Sequence, residues 1–286
     1  MATREAFRAQ AREMGVSDES LDLILTVVQP AYALKPGRSE EGAVGWLGGL
    51  PDLPTGMTWD GSGVFVASID LAALPPHSLD TGLPADGRLL LFAEPFSELI
   101  DLDYGWPPAF PRALYVPPGT ETTPWDPSSC TFERSDDEYL IERRPLHATA
   151  FWDLDINDES ETLDSAVEEF RALAGPQVVP LVLDDPNYDV KLCGVAQAQQ
   201  NTVEYEVLGR VGTRRGQAWE DDPDAGPSED DPALIDWDEL AAAWQPLAQA
   251  NQSGITGVGD GAIYWVTPRV DLARARLDRT ELIYQC

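Results

Sequence analysis

Oxygen donors recur at alternate positions in Asp153-Leu-Asp155-Ile-Asn157, and Glu159, Glu161 and Asp164 follow at the seventh, ninth and twelfth places of the same run. This is the ligand spacing of an EF-hand calcium loop, which makes Asp153, Asp155 and Asn157 candidate metal ligands. Two positions depart from the pattern. Asp158 stands where the sharp turn needs glycine, and Asp164 stands where a longer bidentate glutamate is usual. A solvated, capped helix start is the favoured reading of the segment, with the calcium loop as the alternative.

Trp59, Asp260 and Trp265 are candidate ligand-binding residues, because they mark two Gly/Trp-rich segments, 48–59 and 259–265. Acid–base and nucleophilic chemistry most often recruits histidine. Only His77 and His147 occur. His77 lies in Pro-Pro-His-Ser, read as an exposed loop, and nothing local couples either imidazole to a serine or cysteine. A zinc site needs three or four clustered His or Cys ligands, whereas Cys130, Cys193 and Cys286 are scattered. No phosphate-binding G-x-x-x-x-G-K-[ST] or G-x-G-x-x-G run is present. The sequence therefore assigns no catalytic residue and calls for no cofactor.

Fifty Asp and Glu face nineteen Lys and Arg, a net charge of −31. Nucleic-acid binding depends on Lys and Arg neutralising phosphates, so this balance argues against it. Anionic lipid surfaces are disfavoured for the same reason. A basic protein partner would be steered in, although acidity also serves solubility. Three cysteines without a C-x-x-C pair point to a reducing compartment. With no apolar leader and no long apolar run, the expected location is the cytoplasm.

The residues that hold these candidates fall in a mixed pattern. Residues 3–14 read as a helix, and Ser17 caps a second that carries Leu21, Ile24, Leu25 and Val28 and is closed by Pro30. Strands are expected at 64–69, 88–93, 112–116, 146–152, 178–183, 202–208, 246–250, 261–266 and 281–285. Helices are expected after Ser160 and after Asp236, with a short one over 268–275 from Pro268. The acidic, Pro/Gly-rich run 220–232 reads as a loop. Trp59, Tyr264 and Trp265 read mainly as core, and Trp106 and Trp125 as surface rings among prolines. The fold class is α+β with mixed or antiparallel sheets and an N-terminal helical pair. A strand–loop–Gly–strand echo between 64–92 and 246–266 suggests two pseudo-duplicated halves, 46–150 and 176–286, within one domain over 1–286.

Leu47-Gly-Gly-Leu-Pro-Asp-Leu-Pro54 with Trp59, then Ile69-Asp-Leu71, Leu83-Pro84 and Gly87-Arg-Leu-Leu-Leu-Phe92, and finally Gly259-Asp-Gly-Ala-Ile-Tyr-Trp265 with Asp271-Leu272, follow one another in a telling order. Together they resemble the YwqG-like family of uncharacterised bacterial proteins. Lys191-Leu-Cys-Gly194 with Gln199 or Gln200 is a looser match. Ser68, Val258 and Ala196 depart from the family's usual Gln, Trp and Pro. The resemblance implies an α+β fold and no established activity.

Two functional readings follow. The first is a non-enzymatic, immunity-like module that binds a basic protein. The alternative is an enzyme or small-ligand protein with its site between the two halves. Oligomeric state is not legible in the sequence.

Overall fold

The computed structural model describes residues 4–61, 63–77, 80–93, 111–129, 141–154, 161–174, 188–211, 237–251, 253, 255 and 261–286. The strand expected at 178–183, the run 220–232, and Ser160, Asp236, Trp106 and Cys130 lie outside them.

Two helices open the chain, α1 (Arg4–Glu13) and α2 (Asp18–Val27). Ser17 caps α2 by accepting the Ser20 N–H at 3.2 Å, which satisfies one of the orphan donors of the first turn. Pro30 does not merely close this helix. The chain passes directly into a strand, β1 (Val28–Pro36), which the sequence reading missed. Its two prolines sit where they do least harm, because β9 pairs only with Ala31–Leu34 and a missing N–H matters least at an unpaired flank.

The remaining strands are β2 (Gly45–Leu47), β3 (Asp52–Pro54), β4 (Val64–Asp70), β5 (Arg88–Ala93), β6 (Ala113–Val116), β7 (Thr122–Pro124), β8 (Arg144–Leu154), β9 (Val190–Cys193), β10 (Trp244–Asn251), β11 (Ala262–Pro268) and β12 (Glu281–Gln285). Helix α3 spans Glu161–Ala174, and residues 203–211 form a further helix, α4. Two short helices, Trp237–Ala242 and Arg269–Leu272, flank β10 and β11. The strand expected at 202–208 is thus helical. Val203, Tyr205 and Val207 alternate like a strand, but only Val203 and Val207, one helical turn apart, are buried, while Tyr205 is exposed.

Ten strands form one antiparallel sheet in the order β12-β11-β10-β9-β1-β8-β2-β4-β5-β6, and β3 pairs with β7 in a separate ribbon. The centre is the long β1/β8 pair, in register from Val28↔Leu154 to Pro36↔Leu146. On one side of it runs the meander β9–β12, and on the other the meander β2–β4–β5–β6.

Side chains alternate across this sheet as the pleat requires. Leu89, Leu91 and Ala93 of β5 join Ile263 and Trp265 of β11 and Leu282 of β12 in one core. Strands near opposite ends of the sheet share that core, so the sheet curls over on itself. Trp265 Nε1–H closes the curl by donating to the carbonyls of Phe92 at 2.8 Å and Arg112 at 3.1 Å. A bulge between Phe65 and Ala67 puts both Val66 and Ala67 on the inner side.

Three separate layers cover the outside. Helices α1, α2 and α3 pack Phe7, Leu21, Ile24 and Phe170 against Trp152. The β3–β7 ribbon brings Leu53, Trp59 and Trp125 onto Phe65, Leu90 and Phe92. Trp125 is therefore buried, contrary to its expected surface role, because its Nε1–H donates to the Trp59 carbonyl at 2.9 Å and the two rings lie 4.6 Å apart. Helix α4 lays Val203 and Val207 over Tyr264, Val266 and Ile283.

Candidate functional site

Four strands place polar side chains on the outer face of the β9–β12 meander. Lys191 on β9 pairs in register with Gln249 on β10, which pairs with Tyr264 on β11. Gln285 follows on β12. Lys191, Gln249 and Gln285 are almost wholly buried. Buried polar groups need partners, and the segment 194–201 supplies them.

Gln249 Oε1 accepts the Gln197 N–H at 3.0 Å, and the Tyr264 hydroxyl donates to the Gln197 carbonyl at 2.5 Å. Gln285 Oε1 accepts the Gln199 N–H at 2.7 Å, while its amide nitrogen donates to the Asn201 carbonyl at 2.6 Å and Glu206 at 2.9 Å. This is where the Lys191-Leu-Cys-Gly194 motif and Gln199 fall. Their pattern was visible in the sequence, but the buried glutamines that receive the loop were not singled out.

The turn that starts this segment is built on a buried ion pair. Lys191 Nζ lies 2.7 Å from Asp153 Oδ2, and the side chains are 0% and 6% exposed. Cys193 and Gly194 both adopt left-handed backbone, with φ of 56° and 76°. The chain therefore doubles back, so that the Val195 N–H donates to Asp153 at 3.0 Å and the Val195 carbonyl accepts from Lys191. Glycine is required at 194, since a Cβ there would meet Asp153 Oδ2 at 2.5 Å. Burial pulls the Lys191 ammonium below its ordinary pKa, and the Asp153 carboxylate opposes that pull. Burial also raises the Tyr264 hydroxyl, with Glu206 adding to the shift.

A cleft of about 330 Å³ opens beside this turn, walled by Asp80–Gly82, Cys193–Val195, Glu204, Gln245 and Arg269. Cys193 lines it as a buried thiol. Burial, with a contribution from Asp80, pushes its thiol up to about 12, and the thiolate is the reactive species.

The candidates read from the sequence are distributed as follows. Asp153 is the ion-pair partner of Lys191. Asp155, Asn157 and Asp260 lie outside the described residues, among which no group of three His, Cys, Asp or Glu is spaced to hold a metal. Trp59 is 4% exposed and Trp265 fully buried. They sit on opposite faces of β5 and meet at one residue. The Trp59 ring packs edge-on against Phe92 at 5.2 Å, and Trp265 bonds the Phe92 carbonyl. His77 is half-buried, in place of the expected exposed position. Its Nε2 lies 2.7 Å from the Phe151 carbonyl, and its ring stands edge-on to Tyr32. His147 Nε2 lies 3.0 Å from the Ser39 carbonyl.

Fold and site define an α+β protein with one curled antiparallel sheet and a polar cleft at the ends of β1, β9 and β10. The match to the domain of unknown function DUF1963 covers residues 46–286, and the chain belongs to that family. Comparison with curated proteins found no matching relative. No helix among the described residues is long and apolar enough to cross a membrane.

Proposed function

We propose that this chain is a non-catalytic binding module of the cytoplasm, whose acidic surface engages a basic protein partner in the manner of an immunity protein. The observation that carries this reading is charge. The chain holds fifty acidic against nineteen basic residues, and the cleft beside the Cys193–Val195 turn has Asp80 and Glu204 in its walls. A field of that sign attracts cationic surfaces and speeds their encounter.

The buried charges support it further. Lys191 is held by Asp153, Arg112 by Glu281, and Asp271 by Arg276 and Arg279. These groups are engaged in holding the fold. The order of the motifs from Leu47 to Trp265 supports a place beside the YwqG-like proteins, and the two flanking meanders support one domain grown by duplication of 46–150 and 176–286.

The test is affinity capture of the full-length protein from lysate of its native cells at low and moderate salt. A stoichiometric partner of strongly basic composition, held less tightly at the higher salt, is expected. Recovery of no stoichiometric partner at either salt overturns the reading.

A second reading has one specific observation in its favour. Asp80–Gly82 comes from the first half and Cys193–Val195, Glu204, Gln245 and Arg269 from the second, so the cleft is built by both halves and is sized for a small polar ligand. Native mass spectrometry of freshly purified protein decides it: a retained small molecule supports this reading, and a bare chain counts against it.

A further inference from the structure

The segment between the Cys193–Val195 turn and α4 lies across the sheet as an uncharged strap. From Ala196 to Thr202 it reads Ala-Gln-Ala-Gln-Gln-Asn-Thr, in a chain of net charge −31. It is neither helix nor strand. Both of its ends are anchored, at the turn by the buried Lys191–Asp153 pair and at α4 by Val203, which packs with Tyr264 and Ile283.

Between the anchors, the sheet grips the main chain of every second residue. Gln249 on β10 accepts the Gln197 N–H, and Tyr264 on β11 donates to the Gln197 carbonyl. Gln285 on β12 accepts the Gln199 N–H and donates to the Asn201 carbonyl. Gln197 also accepts from the Tyr188 hydroxyl, and Gln200 donates to the Cys286 carbonyl. The three sheet residues are 0–2% exposed, and what they bind is backbone, which any residue but proline presents in full.

Little apolar surface secures the strap. Ala196 is buried, but residues 197–202 are exposed. Ala196, Ala198, Gln200 and Thr202 line a cleft of about 310 Å³, so open space runs along the strap. Lifting it hands polar groups to water, and hydrogen bonds exchanged for water contribute little net. Segments with few buried apolar contacts open locally, below the free energy of global unfolding.

We propose that residues 196–201 form a displaceable strap, and that its seat on Gln249, Tyr264 and Gln285 binds the main chain of an uncharged, proline-free segment of a partner protein in its place. The resident strap specifies that occupant. Charge plays no part in the exchange, so the outcome leaves the basic-partner reading untouched.

The test uses the full chain. In hydrogen exchange, the Gln197 and Gln199 amides open at a lower free energy than those of β1, and low urea leaves their rates unchanged. A fluorescein-labelled peptide of residues 196–202 is then titrated by polarisation. The wild type binds it weakly, because the tethered strap competes at high effective concentration. Q199P removes the N–H given to Gln285 and leaves the seat intact, so the peptide binds at least about ten-fold more tightly as the open fraction rises. Q199A keeps the N–H and stays within about two-fold of the wild type. A peptide with proline in place of both Gln197 and Gln199 does not bind. Exchange of both amides only through global unfolding overturns the proposal. So does binding to Q199P no tighter than to the wild type or Q199A, or equal binding of the proline peptide. If Q199P lacks a cooperative melt, the wild type decides alone: millimolar peptide must speed exchange at Gln197 and Gln199, and unchanged rates overturn the proposal.

Discussion

Arg112 and Glu281 belong to opposite edges of the ten-stranded sheet, yet their side chains meet at 2.5 Å, 8% and 9% exposed. Glu281 opens β12, and Arg112 immediately precedes β6. The pair is a clasp between the two ends of a curled sheet, beside the Trp265 contacts to Phe92 and Arg112. Removing one member of a buried pair leaves the other uncompensated. R112M or E281Q alone is expected to cost about 3–5 kcal/mol in urea unfolding, and R112M/E281L to recover most of it. A single variant within error of the wild type would show that the clasp contributes nothing.

Gly48 and Gly56 separate backbone strain from crowding. Both have left-handed φ, 62° and 89°. A Cβ at 48 would meet the Ile141 carbonyl oxygen at 2.3 Å, whereas one at 56 meets nothing within 4 Å. Gly56→Ala is expected to cost about 1 kcal/mol, the left-handed penalty alone. Gly48→Ala should cost clearly more, since the backbone of residue 141 must move. Equal losses in thermal unfolding would refute the crowding argument.

Asp271 gives the protein part of its sensitivity to acid. Burial pushes its carboxyl up, but bonds and charge from Arg279 and Arg276 outweigh this and hold it below the ordinary 3.8. The unfolded chain therefore binds more protons than the folded one in this range. Its stabilisation is fully present above about 3.8 and is lost as pH falls through the depressed folded value. D271N should flatten the decline in stability between neutral and strongly acid pH. A decline parallel to the wild type would contradict this.

Cys193 should be chemically silent in the native state. In a C130S/C286S variant it is the sole thiol. At mildly alkaline pH its reaction with a disulfide reagent should be slower by at least about a hundred-fold in the folded protein than in urea, because the thiolate is scarce and buried. Fast native labelling would show that the Cys193–Val195 turn opens readily.

The strands with strong apolar runs were legible from the residues alone. Val64–Ile69, Arg88–Ala93 and Ala262–Val266 carry dense buried side chains, and Ser17 announced α2. Three features were hidden for physical reasons. In β1, Pro30 and Pro36 argue against a strand, and only the limited reach of β9 makes them harmless. Residues 203–211 alternate like a strand, because Tyr205 is exposed and yet aromatic. Trp125 looks exposed among prolines, but the prolines belong to a ribbon that presses it onto Trp59. At the site, the Lys191 motif was visible, whereas its pairing with Asp153, thirty-eight residues away, and the curl that joins β5 to β11 depend on contacts no local pattern encodes.

The position of β1 bears on how the protein is made. The strand lies at the middle of the sheet, but it is synthesised first, and one of its neighbours, β9, is among the later strands to leave the ribosome. For most of translation, β1 is a strand waiting for its place, with an apolar edge open to other nascent chains. The family match begins at residue 46, beyond β1. An expression fragment cut at that boundary would remove the strand between β9 and β8, and each of those two strands would be left with a bare edge.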